Sequence, residues 1–350
     1  MPKFKLTNNF EKRLKNFVSS KLFSEKSKDS KSPYWEHHSR LINFKIENSI
    51  LEISGASGNY IPEVKNSYKH FLKLLKITIK DILKVDARGP DSYFFLNYKK
   101  AFNKIMKEKR FSGFQQLEFN KKKILADSYN HCKKIFPFNY EINDHIIRSY
   151  YYLNILNSYL DLNKNLSVIE IGGGNGNLIS LIKSHFKSNC VIDIDLSETL
   201  LLAVTYLNHL FPNSKILLPN EINFSIDEKI MNEHDFIFLK PSQINLIKEN
   251  SIDLSINSSS FHEMNKMQIS EYVQLIQNVS KKGAYFFNTN SVEKIPYDGD
   301  KSLPEFKKTP PTRFFEYPYC DNEILIYQIC RFTNFVQHIP FYLRLEKIIK

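Results

Sequence analysis

From about residue 144 onward, apolar and polar positions alternate between two periods. Short, continuously apolar runs predict buried strands, and the stretches between them repeat every three to four residues, as amphipathic helices do. The strands fall at 167–171, 190–195, 235–243, 251–257 and 284–289, with a shorter candidate in KILLP. The intervening helices are expected at 177–187, 197–210 and 267–280. Strand and helix units of this length imply a parallel, doubly wound α/β sheet. EILIYQICRF and FYLRLEKII supply two final strands, expected as an antiparallel hairpin that completes a seven-stranded sheet. The proline-rich stretch 290–320 lacks a strong period and is expected as a long ordered loop.

The first 140 residues read differently. Residues 1–33 are polar and rich in lysine and serine, with SEKSKDSKSP near the end, and predict a flexible basic arm or a weak helix followed by a linker. Residues 34–142 predict a mainly helical region, with helices at about 66–84, 92–108 and 119–136. The first of these carries Phe71, Leu75 and Ile82 on one side and stops at Arg88-Gly89-Pro90. Such a region serves as a lid or a homo-oligomer contact. The third domain then runs 143–350, entered by a helix over about 144–160 that Asn143 and Asp144 can cap.

The strand at 167–171 stops in glycines. VIEIGGGNGNL places four of the chain's ten glycines in five positions, Gly172, Gly173, Gly174 and Gly176, and restarts as an apolar helix. A strand that ends this way is a ligand cradle, because backbone N–H groups at a helix start can approach a bound molecule closely. A dinucleotide fingerprint, G-x-G-x-x-G, would require a third glycine where Asn177 stands. With Glu170 the pattern is instead E-x-G-x-G-x-G, which resembles the first motif of Rossmann-like methyltransferases that use S-adenosylmethionine. Asp195 ends the next strand, 25 residues after Glu170, where a carboxylate can accept both ribose hydroxyl protons. Asp193 on the same strand face is its competitor. The end of the third core strand, including Ser242 and Gln243, would lie over an adenine.

Net charge is +12, and it is uneven: residues 1–150 hold 30 Lys and Arg against 15 Asp and Glu, whereas 151–350 hold 19 against 22. A basic half can hold nucleic acid or anionic lipid, but no RNA-binding signature with interleaved aromatics accompanies it. Lysine-rich coding laid over solvated helix faces accounts for it equally well. No apolar run approaches the roughly 20 residues of a membrane span. Cys132, Cys190, Cys320 and Cys330 show neither disulfide nor zinc spacing and read as reduced thiols. These features predict a cytoplasmic protein without an assigned metal site.

In a doubly wound sheet, ligands gather at the carboxyl ends of the strands, which puts Asn257 to Glu263 beside the reacting end of a cofactor. Methyl transfer to an alcohol needs alignment and the removal of one proton. His262 is a candidate base near neutral pH, and Glu263 beside it could orient a hydroxyl, ligate a metal or cap the next helix. FHEMNKMQISEYVQLI is similar to the histidine-bearing segment of plant-type O-methyltransferases. No D/N-P-P-Y/F follows the fourth strand and no Pro-Cys is present, which argues against exocyclic amine and cytosine C5 targets.

Together, IEIGGGNGNL, DLSETLLLAVTYL, FLKPSQ, DLSINSSSFHEM, FFNTNSVEKIPYDGD and FFEYPYCDNEIL resemble the sugar O-methyltransferase family associated with bacterial surface polysaccharides. The resemblance spans about 145–330. It implies a class I fold, S-adenosylmethionine as cofactor with S-adenosylhomocysteine as product, and a sugar or nucleotide-sugar acceptor. It carries cofactor roles onto Glu170, Gly172, Gly174, Gly176 and Asp195, and substrate-side roles onto Glu263, Asn290, Lys294 and Tyr317. In that family the position of His262 is often another polar residue, which makes Glu263 its rival for the catalytic role. Two other readings remain: an RNA methyltransferase using the basic half, and a non-catalytic scaffold that keeps the cofactor pocket.

Overall fold

The computed structural model describes residues 3–24, 34–35, 42–54, 144–161, 164–186, 188–297, 302–330 and 341–350. The helices expected at 66–84, 92–108 and 119–136 lie outside these residues. Two compact units partition the chain: Met1–Pro2, Ser57–Asp161 and Cys330–Pro340 form one, and Lys3–Ala56, Leu162–Ile329 and Phe341–Lys350 form the other.

The N-terminal residues correct two expectations. Where a flexible arm or a weak helix was expected, β1 (Lys3–Lys5), α1 (Asn8–Val18) and α2 (Lys21–Ser24) form, with Phe10, Leu14 and Phe17 buried. Thr7 caps α1 by accepting from the Phe10 amide. Inside the region expected as helical, β2 (Asn43–Glu47) and β3 (Ile50–Ser54) make a hairpin, and β1 adds to it antiparallel in the order β1-β3-β2. Asn48 and Ser49 both take positive φ at its tip, as a two-residue hairpin turn requires. Residues 3–56 thus belong with the sheet unit. The domain boundary expected at 143 is displaced as well, because α3 (Asp144–Asn157) belongs with the other unit.

The sheet unit shows the Rossmann-like doubly wound architecture. After β4 (Leu166–Ile171) come α4 (Asn177–His185), β5 (Ser188–Ile194), α5 (Ser197–Leu210) and β6 (Ile216–Leu217). Next are α6 (Glu228–Glu233), β7 (Phe236–Leu239), β8 (Ile252–Ser258), α7 (Lys266–Val279) and β9 (Ser280–Ser291). The proline-rich stretch contains β10 (Glu293–Lys294), α8 (Pro304–Lys308) and β11 (Thr312–Arg313), and β10 pairs with β11. The chain closes with β12 (Glu323–Cys330) and β13 (Phe341–Lys347).

The order across the sheet is β12-β13-β9-β8-β4-β5-β7-β6. It has eight strands where seven were expected, since the two residues of β6 extend its edge. All pairs from β6 to β9 are parallel and β13 runs antiparallel to β9. Strand β4 is buried at all six positions, which is why LSVIEI reads as a continuous run and not an alternating one. The chain order steps from β4 to β5 on one side and to β8 on the other, so β4 and β8 flank a topological switch point. In open α/β sheets, ligands bind outside the carboxyl ends of the strands at such a point.

Candidate cofactor and acceptor site

The glycine turn after β4 is built by backbone constraint. Gly172, Gly174 and Gly176 have φ of +74°, +63° and +80°, a region costly for residues with a Cβ. The Gly172 amide donates to Ile194 O at 2.8 Å, and Gly176 starts α4 as its N-cap. A Cβ on Gly172 would come 2.1 Å from Ser260 Oγ, and one on Gly173 2.4 Å from Asp193 Oδ1. At Gly174 a Cβ would meet nothing within 4 Å, so the room in the turn lies there.

Three carboxyl groups sit under this turn. Asp193 Oδ1 accepts from the Gly173 amide at 3.3 Å. Asp195 Oδ2 accepts from the Gly174 amide at 2.9 Å, and its Oδ1 from the Leu196 amide at 2.7 Å. Glu170, Asp193 and Asp195 are all buried. Burial, reinforced by the Asp195 charge, pushes the Glu170 carboxyl up to about 8. Burial, with Asp195 and Glu170 adding, raises Asp193 well above the usual carboxylate range. Asp195 is also raised by burial, although the two amides oppose the shift. Glu170 Oε2 and Asp193 Oδ2 have no hydrogen-bond partner among the described residues, and neither do Asn175 Nδ2 and Asn177 Oδ1 on the turn itself. Buried polar atoms without partners are costly and mark a place where a ligand completes the bonding.

Two residues expected over an adenine differ in position. Ser242 is exposed beyond β7. Gln243 is buried and spends its side chain on the protein: Oε1 accepts from the Lys240 amide at 3.1 Å, while Nε2 donates to Pro219 O at 2.9 Å. Its amide holds two loops together.

After β8 the chain forms a short 3-10 turn, Phe261–Glu263, and the side chains of Asn257, Asn290 and Thr312 bond to it. Asn257 Nδ2 donates to Ile171 O at 2.8 Å, and its Oδ1 accepts from the Phe261 amide at 3.2 Å. Asn290 Nδ2 donates to Asn257 Oδ1 at 2.8 Å and to Asn288 Oδ1 at 2.6 Å, and its Oδ1 accepts from the His262 amide at 3.1 Å. Asn257 and Asn290, expected to contact ligands, are fully buried and serve as struts. Thr312 Oγ1 lies 3.0 Å from His262 O and 3.1 Å from Lys294 O, its one hydrogen shared between the two carbonyls. Tyr317, also buried, packs edge-on against Phe261 with ring centroids 5.9 Å apart. The cap of α7 is Asn265 with Gln268, so Glu263 is not used for that purpose.

Glu263, His262 and Lys294 come together in the structure. Lys294 Nζ lies 2.7 Å from Glu263 Oε1, and His262 Nε2 lies 3.5 Å from the same oxygen. The other ring nitrogen, Nδ1, accepts from the Ser291 amide at 3.0 Å. Burial alone would raise the Glu263 carboxyl, but the Lys294 charge, with hydrogen bonds from His262 and Lys294, outweighs it and holds the group well below the usual carboxylate range. The Glu263 charge in turn helps to raise Asp195, which places the two in one electrostatic neighbourhood. Tyr34, which sequence reading passed over, lies against the far side of Lys294, with Nζ 4.1 Å from its ring centroid. Its signal was only an aromatic pair, Tyr34-Trp35, in a polar stretch. No group of three or more metal-ligating side chains occurs among the described residues.

No protein-family model matches the chain, and no curated protein matches it. Among solved structures it is similar to a SAM-dependent methyltransferase from Aquifex aeolicus, at 15% identity over 66% of this chain and 100% of that one, TM-score 0.35. A SAM-dependent methyltransferase from Methanosarcina mazei gives 16% identity over 56% and 98%, TM-score 0.37. The geranyl diphosphate C-methyltransferase from Streptomyces coelicolor A3(2) gives 10% identity over 59% and 80%, TM-score 0.41; that structure holds Mg²⁺, geranyl diphosphate and S-adenosyl-L-homocysteine.

Proposed function

We propose that the chain is an S-adenosylmethionine-dependent O-methyltransferase whose acceptor is a hydroxyl of a sugar or nucleotide-sugar. The observation that carries the cofactor is the charge of the cradle. Three buried carboxyl groups lie beneath a glycine turn with a positive-φ residue facing open space, and two of their oxygens lack partners. Among the described residues no cation lines the cradle to receive a pyrophosphate, whereas an ammonium and a sulfonium would draw these raised carboxyls into their ionised form and meet opposite charge.

In this reading the turn from Gly172 to Gly176 takes the amino-acid end, with Glu170 and Asp193 on its cationic side. Asp195 accepts the ribose hydroxyls and exchanges the Gly174 amide for them. S-adenosylmethionine supplies, when bound, a methyl carbon activated by a sulfonium. The chain aligns the acceptor oxygen behind that carbon, and the hydroxyl proton leaves to water as the new C–O bond forms. Glu263, kept ionised by Lys294, accepts a hydrogen bond from that hydroxyl and orients it; held so far below the usual carboxylate range, it steers the proton without keeping it.

The acceptor class rests on the resemblance of DLSINSSSFHEM and FFNTNSVEKIPYDGD to sugar O-methyltransferases, and with it a place in surface polysaccharide synthesis in the cytoplasm. The free thiols Cys190 and Cys320 fit a reducing compartment. Incubating the full chain with methyl-labelled S-adenosylmethionine and separate pools of nucleotide-sugars and total RNA tests the reading. Label is expected in the sugar pool; label in RNA alone would replace this acceptor with the rival one.

A further inference from the structure

We propose that His262 is a positioning residue: its Nε2–H holds Glu263 Oε1, so that Oε2 is presented to the acceptor hydroxyl, and the ring itself takes no proton. Its part in turnover rests on the methyl-transfer reading above, whereas the state of the ring does not.

A general base needs a lone pair aimed at the proton it removes. In His262 the Nδ1 lone pair is committed to the Ser291 amide at 3.0 Å. A neutral imidazole that accepts at Nδ1 carries its hydrogen on Nε2. That hydrogen faces Glu263 Oε1 at 3.5 Å. Protonating Nδ1 would break the bond to Ser291 inside a site where the ring is only 3% exposed.

The rest of the residue is fixed to the same end. Its amide donates to Asn290, its carbonyl accepts from Thr312, and the ring meets Phe341 edge-on, with centroids 5.5 Å apart at 89°. Such anchoring suits a strut better than a group that must swing between substrate and solvent. On the carboxylate, Oε1 collects both His262 and Lys294, which assigns the second oxygen, Oε2, to the acceptor. Glu263 is the charged group that Nε2 meets, and Lys294 pairs with the same Glu263 oxygen.

The test is ¹⁵N NMR of the histidine side chains in the full chain. His262 is assigned by the signal missing in H262Q and, independently, by coupling across the Ser291 N–H to Nδ1 bond. Nδ1 is expected to stay unprotonated and Nε2 protonated from pH 5.5 to 8.5. A proton on Nδ1, or titration within that window, would overturn the proposal. A glutamine can replace the Nε2–H donor but cannot act as a base. H262Q is therefore expected to keep about a tenth or more of the methyl transfer to the nucleotide-sugar pool, while H262A loses about 10²-fold, with cofactor affinity unchanged in both. Equal loss in the two variants would restore His262 as the base. No transfer by the wild-type chain would count against the acceptor class, and the ring state would still decide the role of His262.

Discussion

The Gly174 amide donates to Asp195 Oδ2 at 2.9 Å, joining the glycine turn after β4 to the end of β5. One bond thus couples the two parts of the cradle that a cofactor would occupy. Gly174 supplies open space and Asp195 the acceptor, and a ribose hydroxyl must compete for the same oxygen.

Gly172 and Gly174 should fail differently. Gly172→Ala drives a Cβ toward Ser260 Oγ at positive φ, so it should destabilise the fold by about 1–3 kcal/mol and lower cofactor affinity as well. Gly174→Val adds its side chain where the ligand would lie, at a backbone cost of about 1–2 kcal/mol. It should abolish cofactor binding while the chain still folds. Paired thermal melts and calorimetry separate the two.

Glu170 should make stability depend on pH. Its folded pKa of about 8 lies above the ordinary value of 4.5, so between these limits the folded state holds a proton that the unfolded state has lost. Stability from this group is present below about pH 4.5 and declines as pH rises toward 8. Glu170→Gln, which mimics the protonated form, should raise Tm relative to wild type more at pH 8.5 than at pH 5. An equal offset at both values would show that Glu170 is already ionised at pH 5.

Cofactor affinity should also follow pH. The carboxyls under the turn must ionise to hold a cation, so S-adenosylmethionine should bind more tightly at pH 8.5 than at pH 6. S-adenosylhomocysteine shares the amino-acid end but lacks the sulfonium, and its slope should be shallower. Parallel slopes for the two would place the sulfonium away from these groups.

Arg13 should anchor the N-terminal segment. Its Nε and Nη2 donate to Glu221 Oε1 and Oε2, each at 2.7 Å, and Nη2 also donates to Ile216 O. Lys240 Nζ adds a bond to Leu22 O. Arg13→Ala should cost about 1–3 kcal/mol and speed proteolytic cleavage within residues 3–24. Unchanged cleavage would show that packing of Phe10, Leu14 and Phe17 suffices.

Much of the sheet was legible because its strands and helices obey one period each. The helix read at 197–210 occupies Ser197–Leu210, and the glycine motif supplied the turn. Strands β2 and β3 were missed although their signal existed: Phe44, Ile46, Leu51 and Ile53 alternate around Asn48-Ser49. Five-residue strands in a lysine-rich stretch carry too few alternations to stand out. Gln243, Asn257 and Asn290 show a different limit. Sequence can place an amide at a strand end, but whether it faces ligand or pairs with a neighbouring backbone depends on loops remote in the chain, such as Pro219 for Gln243. The geometry of His262 likewise depends on Ser291, 29 residues away.

The central claim is that the turn from Gly172 to Gly176, with Asp195, holds S-adenosylmethionine. Calorimetric titration of the full chain with S-adenosylmethionine, S-adenosylhomocysteine and NADH, repeated on Asp195→Ala, tests it most directly. Micromolar binding of the first two, no binding of NADH and loss of both in the variant is the expected result. Binding of NADH, or binding of S-adenosylmethionine that survives Asp195→Ala unchanged, would contradict it.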